Sequence, residues 1–345
     1  MDAARLDDPV HDRFNFLVNA PALFNAVTTA VEVRIFHLLA ERPGLGRVAL
    51  QESTGMPAHQ LRVLLQAVCS TGLIERRDGL YHNSAVATEL LASDAADSWG
   101  HILIGWKEVY YPAFAQMTEA LRAGTNTALS RFPGDEPTLY QRLARDPGLE
   151  AVFHRAMSAF TLRSVDALVH REEFGTVEHL LDVGGGDGTT SARLVQQHPA
   201  LQCTVFDMPS VSRLATQGTE TRPERVHLLP GDIFDDPFPD GHDGVLFSHV
   251  LEIFSEEQIL GLMKKAYDAL PVGGQIFLYG YNVSDDETAG IFGARLGLYF
   301  NVLASGQGMA YPAADYEAWL RRTSFREVRT VTGMPYEHGL TMGVK

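Results

Sequence analysis

Apolar residues recur every three or four positions through the first half of the chain, and from about residue 177 they fall into short alternating runs. Between Ala20 and Ala40, the residues Leu23, Phe24, Val27, Val31, Ile35, Leu38 and Leu39 share one helical face. The stretches Val48 to Gly55 and Pro57 to Ser70 predict two short helices around a Gly-Met-Pro turn. Gly72 to His82 predicts a hairpin closed by Asp78-Gly79, and the three pieces together predict a winged helix. Two further helical stretches, Trp99 to Leu121 and Leu139 to Val169, carry Trp106, Tyr110, Tyr111, Phe114, Phe153, Met157 and Phe160. Such a set serves equally as core or as the lining of a pocket for an aromatic molecule.

Downstream, the strand candidates are 179–183, 202–206, 226–229, 243–248 and 275–281, with helical patterns at 190–197 and 256–270 between them. Segments 325–331 and 340–344 supply a final pair. This alternation predicts an α/β fold with a Rossmann-like, mostly parallel sheet. At 345 residues, 45% hydrophobic and 21% charged, the composition is that of a globular protein.

A net charge of -15 argues against nonspecific nucleic-acid binding. The recognition-helix position, Pro57 to Ser70, offers only Arg62 and His59 as basic groups, so a structural or dimerising use of the wing is expected. The first eight residues lack a basic-then-apolar leader pattern, and no uninterrupted apolar span reaches about 20 residues. A cytoplasmic protein without a membrane partner is therefore expected. Cys69 and Cys203 sit in apolar segments and are expected to be buried free thiols.

The chemistry concentrates in Leu180-Leu181-Asp182-Val183-Gly184-Gly185-Gly186-Asp187-Gly188-Thr189-Thr190, a strand, glycine turn and helix start in sequence. Glycines permit close backbone approach, and the helix start presents unpaired amides. Two later stations follow successive strands: Asp207, and Gly231-Asp232-Ile233-Phe234. Open parallel sheets bind ligands at these strand ends, where Asp207 suits ribose hydroxyls and Asp232 suits an adenine amino group or a helix cap. Asp182 and Asp187 set two carboxylates around the turn. That is poor for a pyrophosphate and suitable for a cationic amino-acid portion. S-adenosylmethionine is thus favoured over a nicotinamide dinucleotide.

With these motifs the sequence resembles the S-adenosylmethionine-dependent methyltransferases of the plant caffeate/flavonoid type and their bacterial secondary-metabolite relatives. The resemblance spans nearly the whole chain and is most specific at Leu181 to Gly188, Phe206 to Val211 and Gly231 to Phe234. It implies a helical winged-helix dimerisation domain (1–110), connecting helices lining a substrate pocket (111–175) and a cofactor-binding catalytic domain (176–345). It implies a homodimer, and an acceptor that is a small hydroxylated aromatic or aromatic amino-acid-like metabolite. Asp207 would hold the ribose, Asp232 and Ile233 would border the adenine, and Gly184 and Gly186 would line the methionine end. Asp182, Asp187, Met208, Phe234, Ser248 and Thr161 complete the expected cofactor set. Trp106, Met157, Phe160, Arg295, Tyr299 and His338 form the expected acceptor side, with Asn301 and Glu337 as further candidates.

In the plant-type enzymes the strand after the adenine loop leads into His-Asp-Trp-Ser-Asp-Glu, whose histidine deprotonates the acceptor hydroxyl. Here the stretch is His249-Val250-Leu251-Glu252-Ile253-Phe254-Ser255-Glu256-Glu257. Aligning the Ser-acid-Glu ending puts Glu252 in the histidine's place and leaves His249 three residues upstream. Glu252, desolvated among Leu251, Ile253 and Phe254, is the expected participant in deprotonation, against a competing role as cap or salt-bridge residue. His249 is the second candidate base, or else a residue that shapes the pocket. The spacing of the two is weak evidence for a metal, and none is expected. Removing a phenolic proton activates both the oxygen and the ortho or para ring carbon. Oxygen is the favoured acceptor, ring carbon the alternative, nitrogen a third, and a catalytically impaired cofactor-binding or assembly protein the reading from another class.

Overall fold

A computed structural model of the chain describes residues 9–209, 211 and 223–345. The opening eight residues, and Ser210 of the Phe206 to Val211 motif, lie outside the described residues. The chain divides into two compact units. One comprises Met1–Val109 with Val152–Ala159, the other Tyr110–Ala151 with Phe160–Lys345.

In the first unit the long apolar pattern forms two helices, Pro9–Glu32 and Ile35–Glu41. They break where Arg34 adopts a left-handed backbone (φ 60°) and pairs with Asp94. Helices Arg47–Thr54 and Ala58–Ser70 follow, the first stopped by Gly55 at φ 68°. Strands β1 (Ile74–Arg77) and β2 (Leu80–Asn83) pair antiparallel across Asp78 and Gly79, both at positive φ, as a type I′ turn requires. Phe36, Leu50, Leu61, Leu65, Val68 and Ile74 close one core beneath this winged helix. Helix Pro9–Glu32 is the one described helix long and apolar enough, by length and composition, to cross a membrane. Its sequence is broken by Asn15, Asn19 and Asn25, and only 17% of its most apolar window is buried. The predicted helix from Trp99 is interrupted: a π-helical turn at Trp106–Tyr110 follows helix Trp99–Gly105.

The second unit holds a seven-stranded sheet of β3 (His179–Val183), β4 (Gln202–Asp207), β5 (Val226–Pro230), β6 (Gly244–Ser248), β7 (Gln275–Tyr281), β8 (Arg326–Met334) and β9 (His338–Val344). Its order is β5-β4-β3-β6-β7-β9-β8. The first five neighbours run parallel, while β9 is antiparallel to both β7 and β8. Period-two alternation splits the strands between two cores. Leu181, Val183, Val245, Phe247, Ile276 and Leu278 face helices Glu256–Ala269 and Ala313–Arg322. Leu180, Cys203, Val205, Leu246 and Phe277 face Leu194 and Val195 of helix Thr189–Gln197. Cys203 is a buried free thiol, whereas Cys69 is only half-buried, a correction to the expectation for that residue.

Candidate active site

Strand order reverses at β3, which lies between β4 and β6, and this opens a crevice at the carboxyl ends. Val183 pairs with Phe206 on one side and Phe247 on the other. The glycine turn is therefore flanked by Asp207 and by Ser248-His249. Gly184, Gly186 and Gly188 have φ of 70°, 62° and 82°, values that L side chains rarely adopt. A Cβ at Gly184 would also lie 2.6 Å from Cγ2 of Val250, so the turn packs directly on the segment that follows β6.

The carboxylates around the turn have separate duties. Asp207 accepts from the Gly186 N–H (2.8 Å) and the Met208 N–H (2.7 Å), while burial raises its pKa against those two bonds. Asp187 is exposed and accepts from the Thr189 N–H at 3.0 Å. Asp232 caps its own turn through the Phe234 N–H at 2.7 Å, and Lys265 holds the Ile233 and Asp236 carbonyls at 2.6 Å.

Asp182, expected to contact the cofactor, is completely buried beneath the turn and accepts from the Ser191 hydroxyl at 2.6 Å, so it braces the turn from below. Burial is the largest cause that pushes its pKa up to about 7, with Asp207 and Asp187 adding to it and the Ser191 bond opposing. A carboxyl raised above its unfolded value contributes stability that is present below the unfolded pKa and lost as pH rises through about 7. The melting temperature of the ligand-free protein should therefore carry an Asp182-dependent decline across that window. Asp182→Asn should flatten the decline, as melting curves of both proteins across pH would show.

The turn and these carboxylates fit S-adenosylmethionine. The glycines leave room for close approach, the Asp207 carboxylate stands at the end of β4 where ribose hydroxyls would lie, and the clustered negative charge suits a sulfonium and an ammonium.

On the expected acceptor side, His249 directly follows β6 in a left-handed conformation (φ 57°), its N–H donating to the Tyr279 carbonyl at 2.8 Å. A non-glycine residue held there stores strain of about 1–3 kcal/mol, which the surroundings must over-determine. Its ring lies among Tyr279, Tyr281 and His338, with centroids 5.3, 5.4 and 4.9 Å away. Glu252 is 2% exposed, accepts from the Tyr281 N–H at 2.9 Å, and sits 3.7 Å from Nδ1 of His249. The carboxylate occupies space that a side chain at residue 280 would fill: a Cβ on Gly280 would coincide with it. Gly280→Ala should thus expel Glu252 from its bond with Tyr281. We expect a loss of about 1–3 kcal/mol in stability and a fall in turnover matching that of Glu252→Ala, checked by denaturant melts beside rate measurements.

His338 opens β9, is 1% exposed and donates from Nδ1 to the Pro335 carbonyl at 2.8 Å. Burial first, and His249 second, push its pKa down to about 3. Phe160 packs within 6.2 Å of Tyr281 and His338. Helix Ile291–Tyr299 carries Arg295, whose guanidinium lies 5.7 Å over the Tyr110 ring, and Tyr299, stacked on Tyr110 at 4.1 Å. Glu337 holds that helix's start by accepting from the amides of Ile291 (2.7 Å) and Gly293 (3.0 Å). Asn301 donates to the Gly297 and Gly308 carbonyls. Thr161 is half-buried, and its carbonyl accepts from Ser164. Trp106 and Met157 belong to the other unit, where Trp106 meets Trp99 edge-on at 5.9 Å and Met157 is 40% exposed.

Sequence reasoning passed over Ser191, Gly280 and the two tyrosines flanking Gly280. A glycine inside a strand pattern signals close approach of another group, and that signal was present in Tyr279-Gly280-Tyr281.

Residues 114–326 match the model of a family described as the O-methyltransferase domain. The chain is 31% identical over 310 residues to the L-tyrosine C(3)-methyltransferase of Streptomyces lavendulae, covering 88% of this chain and 83% of that protein. It is 32% identical over 323 residues to the 3-hydroxy-5-methyl-1-naphthoate 3-O-methyltransferase of Streptomyces sahachiroi, covering 92% and 91%. Among solved structures, the apo form of the S-adenosylmethionine-dependent methyltransferase SibL superposes with a TM-score of 0.84 at 33% identity, over 96% of this chain and 98% of that one. Human N-acetylserotonin methyltransferase, in complex with S-adenosylmethionine, shares the fold with a TM-score of 0.87 at 22% identity, covering 100% and 99%.

Proposed function

Because the chain belongs to the O-methyltransferase-domain family and is an S-adenosylmethionine-dependent methyltransferase, we propose that His249 is its general base, held by Glu252, for methylation of a small hydroxylated aromatic metabolite of secondary metabolism. The single observation that carries this is the His249–Glu252 pair at the end of β6, next to the glycine turn. Glu252 beside Nδ1 favours the tautomer with its proton there, which leaves Nε2 as the bare lone pair that takes a proton from the acceptor. The family histidine's task thus moves three residues upstream, and Glu252 becomes a positioning residue. S-adenosylmethionine supplies an electrophilic methyl when bound. Asp207, tied to the Gly186 amide, would hold the ribose of that ligand, and His249, held in its left-handed backbone, would present its imidazole to the acceptor.

Oxygen is the proposed acceptor atom. Ring carbon is the second possibility, because the tyrosine methyltransferase among the relatives methylates C(3). Deprotonation by His249 serves both outcomes, and the pose selects between them. Incubation with methyl-labelled S-adenosylmethionine and a panel of phenols, followed by carbon NMR of the product, distinguishes an ether from an aryl methyl. No transfer to any phenol, at saturating donor, would sink the proposal.

A homodimer and a cytoplasmic location are part of the same proposal. Phe14, Leu17 and Val18 lie exposed on one face of helix Pro9–Glu32. A contiguous apolar face of this kind marks an interaction site. Light scattering is expected to give twice the chain mass, and Phe14→Glu with Leu17→Glu should halve it.

A further inference from the structure

Two imidazoles face each other in the acceptor site, and neither can satisfy the other. Nδ1 of His338 lies 2.8 Å from the Pro335 carbonyl, which can only accept, so the proton sits on Nδ1 and Nε2 carries a lone pair. The Glu252 carboxylate, 3.7 Å from Nδ1 of His249, favours the same tautomer there by its charge. The rings are 4.9 Å apart and nearly perpendicular. Both Nε2 atoms are buried with no hydrogen-bond partner among the described residues. Tyr279, Tyr281 and Phe160 enclose His338, with Tyr279 stacked on it at 5.1 Å and Tyr281 tilted against it at 4.4 Å. Two desolvated acceptors side by side are costly unless a ligand brings a donor to each.

We propose that His338 is a second, uncharged acceptor beside the base, so that the site selects aromatic ligands carrying two neighbouring hydrogen-bond donors over those carrying one. The roles differ: His249 takes a proton, while His338 accepts a hydrogen bond and keeps the ring in place. Burial, which pushes the His338 pKa down to about 3, keeps the ring neutral near pH 7. The assignment of His249 rests on the proposed function above. That of His338 rests on its own Pro335 contact and burial.

The test uses the full chain loaded with S-adenosylhomocysteine and two chromophoric probes. 4-Nitrocatechol offers two neighbouring hydroxyls, and 4-nitroguaiacol keeps the ring with one hydroxyl capped by methyl. Absorbance titration should show the first binding at least about tenfold more tightly, the cost of leaving one buried acceptor unmet. In His338→Phe the ratio should fall toward one. His338→Gln, whose amide oxygen still accepts, should keep most of it. Thermal melting establishes that each variant is folded, and His338→Leu replaces the phenyl variant where the larger ring is not accommodated. Equal affinities in the unsubstituted enzyme, or a ratio unchanged in the folded apolar variant, would overturn the proposal. The role of His249 is read separately from the turnover of His249→Gln. That variant could remain fully active while the affinity ratio behaves as stated, or the reverse, so the two ideas fail independently.

Discussion

Replacing His249 by glutamine is expected to lower the single-turnover rate of methyl transfer by about 10²- to 10⁴-fold, the range over which positioned proton transfer contributes. Affinity for S-adenosylhomocysteine should stay within a few-fold, because the proposed cofactor stations are the turn after β3, Asp207 and Asp232. Glutamine preserves a polar side chain of similar reach but has no basic nitrogen. A steric change alone would alter KM and turnover together, whereas loss of the base should fall on turnover. The variant should also recover rate at alkaline pH, where the acceptor hydroxyl ionises unaided. Glu252→Gln should reduce turnover less, since it keeps an acceptor for the Tyr281 N–H and removes only the charge beside Nδ1. A His249→Gln enzyme with an unchanged single-turnover rate would eliminate the imidazole as base.

The second large effect is expected at Asp207. Its carboxylate accepts two backbone N–H groups, from Gly186 at 2.8 Å and Met208 at 2.7 Å, and so ties the glycine turn to the end of β4. Hydrogen bonds to charged groups contribute about 1.5–3 kcal/mol each. Asp207→Ala removes both, along with the acceptor for ribose hydroxyls. Affinity for S-adenosylhomocysteine should therefore fall by about 10²-fold or more, measured by calorimetry, with the fold retained. Asp207→Asn keeps the shape and one acceptor and should lie between. An affinity within threefold of the starting enzyme in Asp207→Ala would show that neither the turn nor the ribose depends on this residue.

The sheet was legible because burial on alternating faces imposes a period of two, and five strand candidates fall within a residue or two of β3 to β7. The glycine turn was legible because three positive-φ positions leave little choice of residue. What local sequence could not display was the third dimension of the site. Asp182 looks like a ligand contact in line with its neighbours, yet Ser191, in the first turn of the next helix, draws it inward. Glu252 looks like a base by alignment. Its direction is decided by Gly280, which comes 28 positions later and leaves the space the carboxylate fills. His249 becomes prominent only through a backbone angle that no side-chain pattern announces. The interrupted helices are of the same kind: left-handed Arg34 and the π-helical turn at Trp106–Tyr110 leave the apolar spacing almost intact.

Strand β9 follows β8 in the chain but lies between β7 and β8 in the sheet. During synthesis β3 to β7 and the cofactor stations at their ends can form while that place is still empty. Until β9 inserts, β7 presents an open edge bearing Phe277, Tyr279 and Tyr281, an invitation to pair with another nascent chain. His338 arrives with the strand that closes this edge. With the role proposed for His338, a growing polypeptide becomes competent to hold the methyl donor before it can recognise what is to be methylated, and early capture of the donor would steady the sheet through its most aggregation-prone interval.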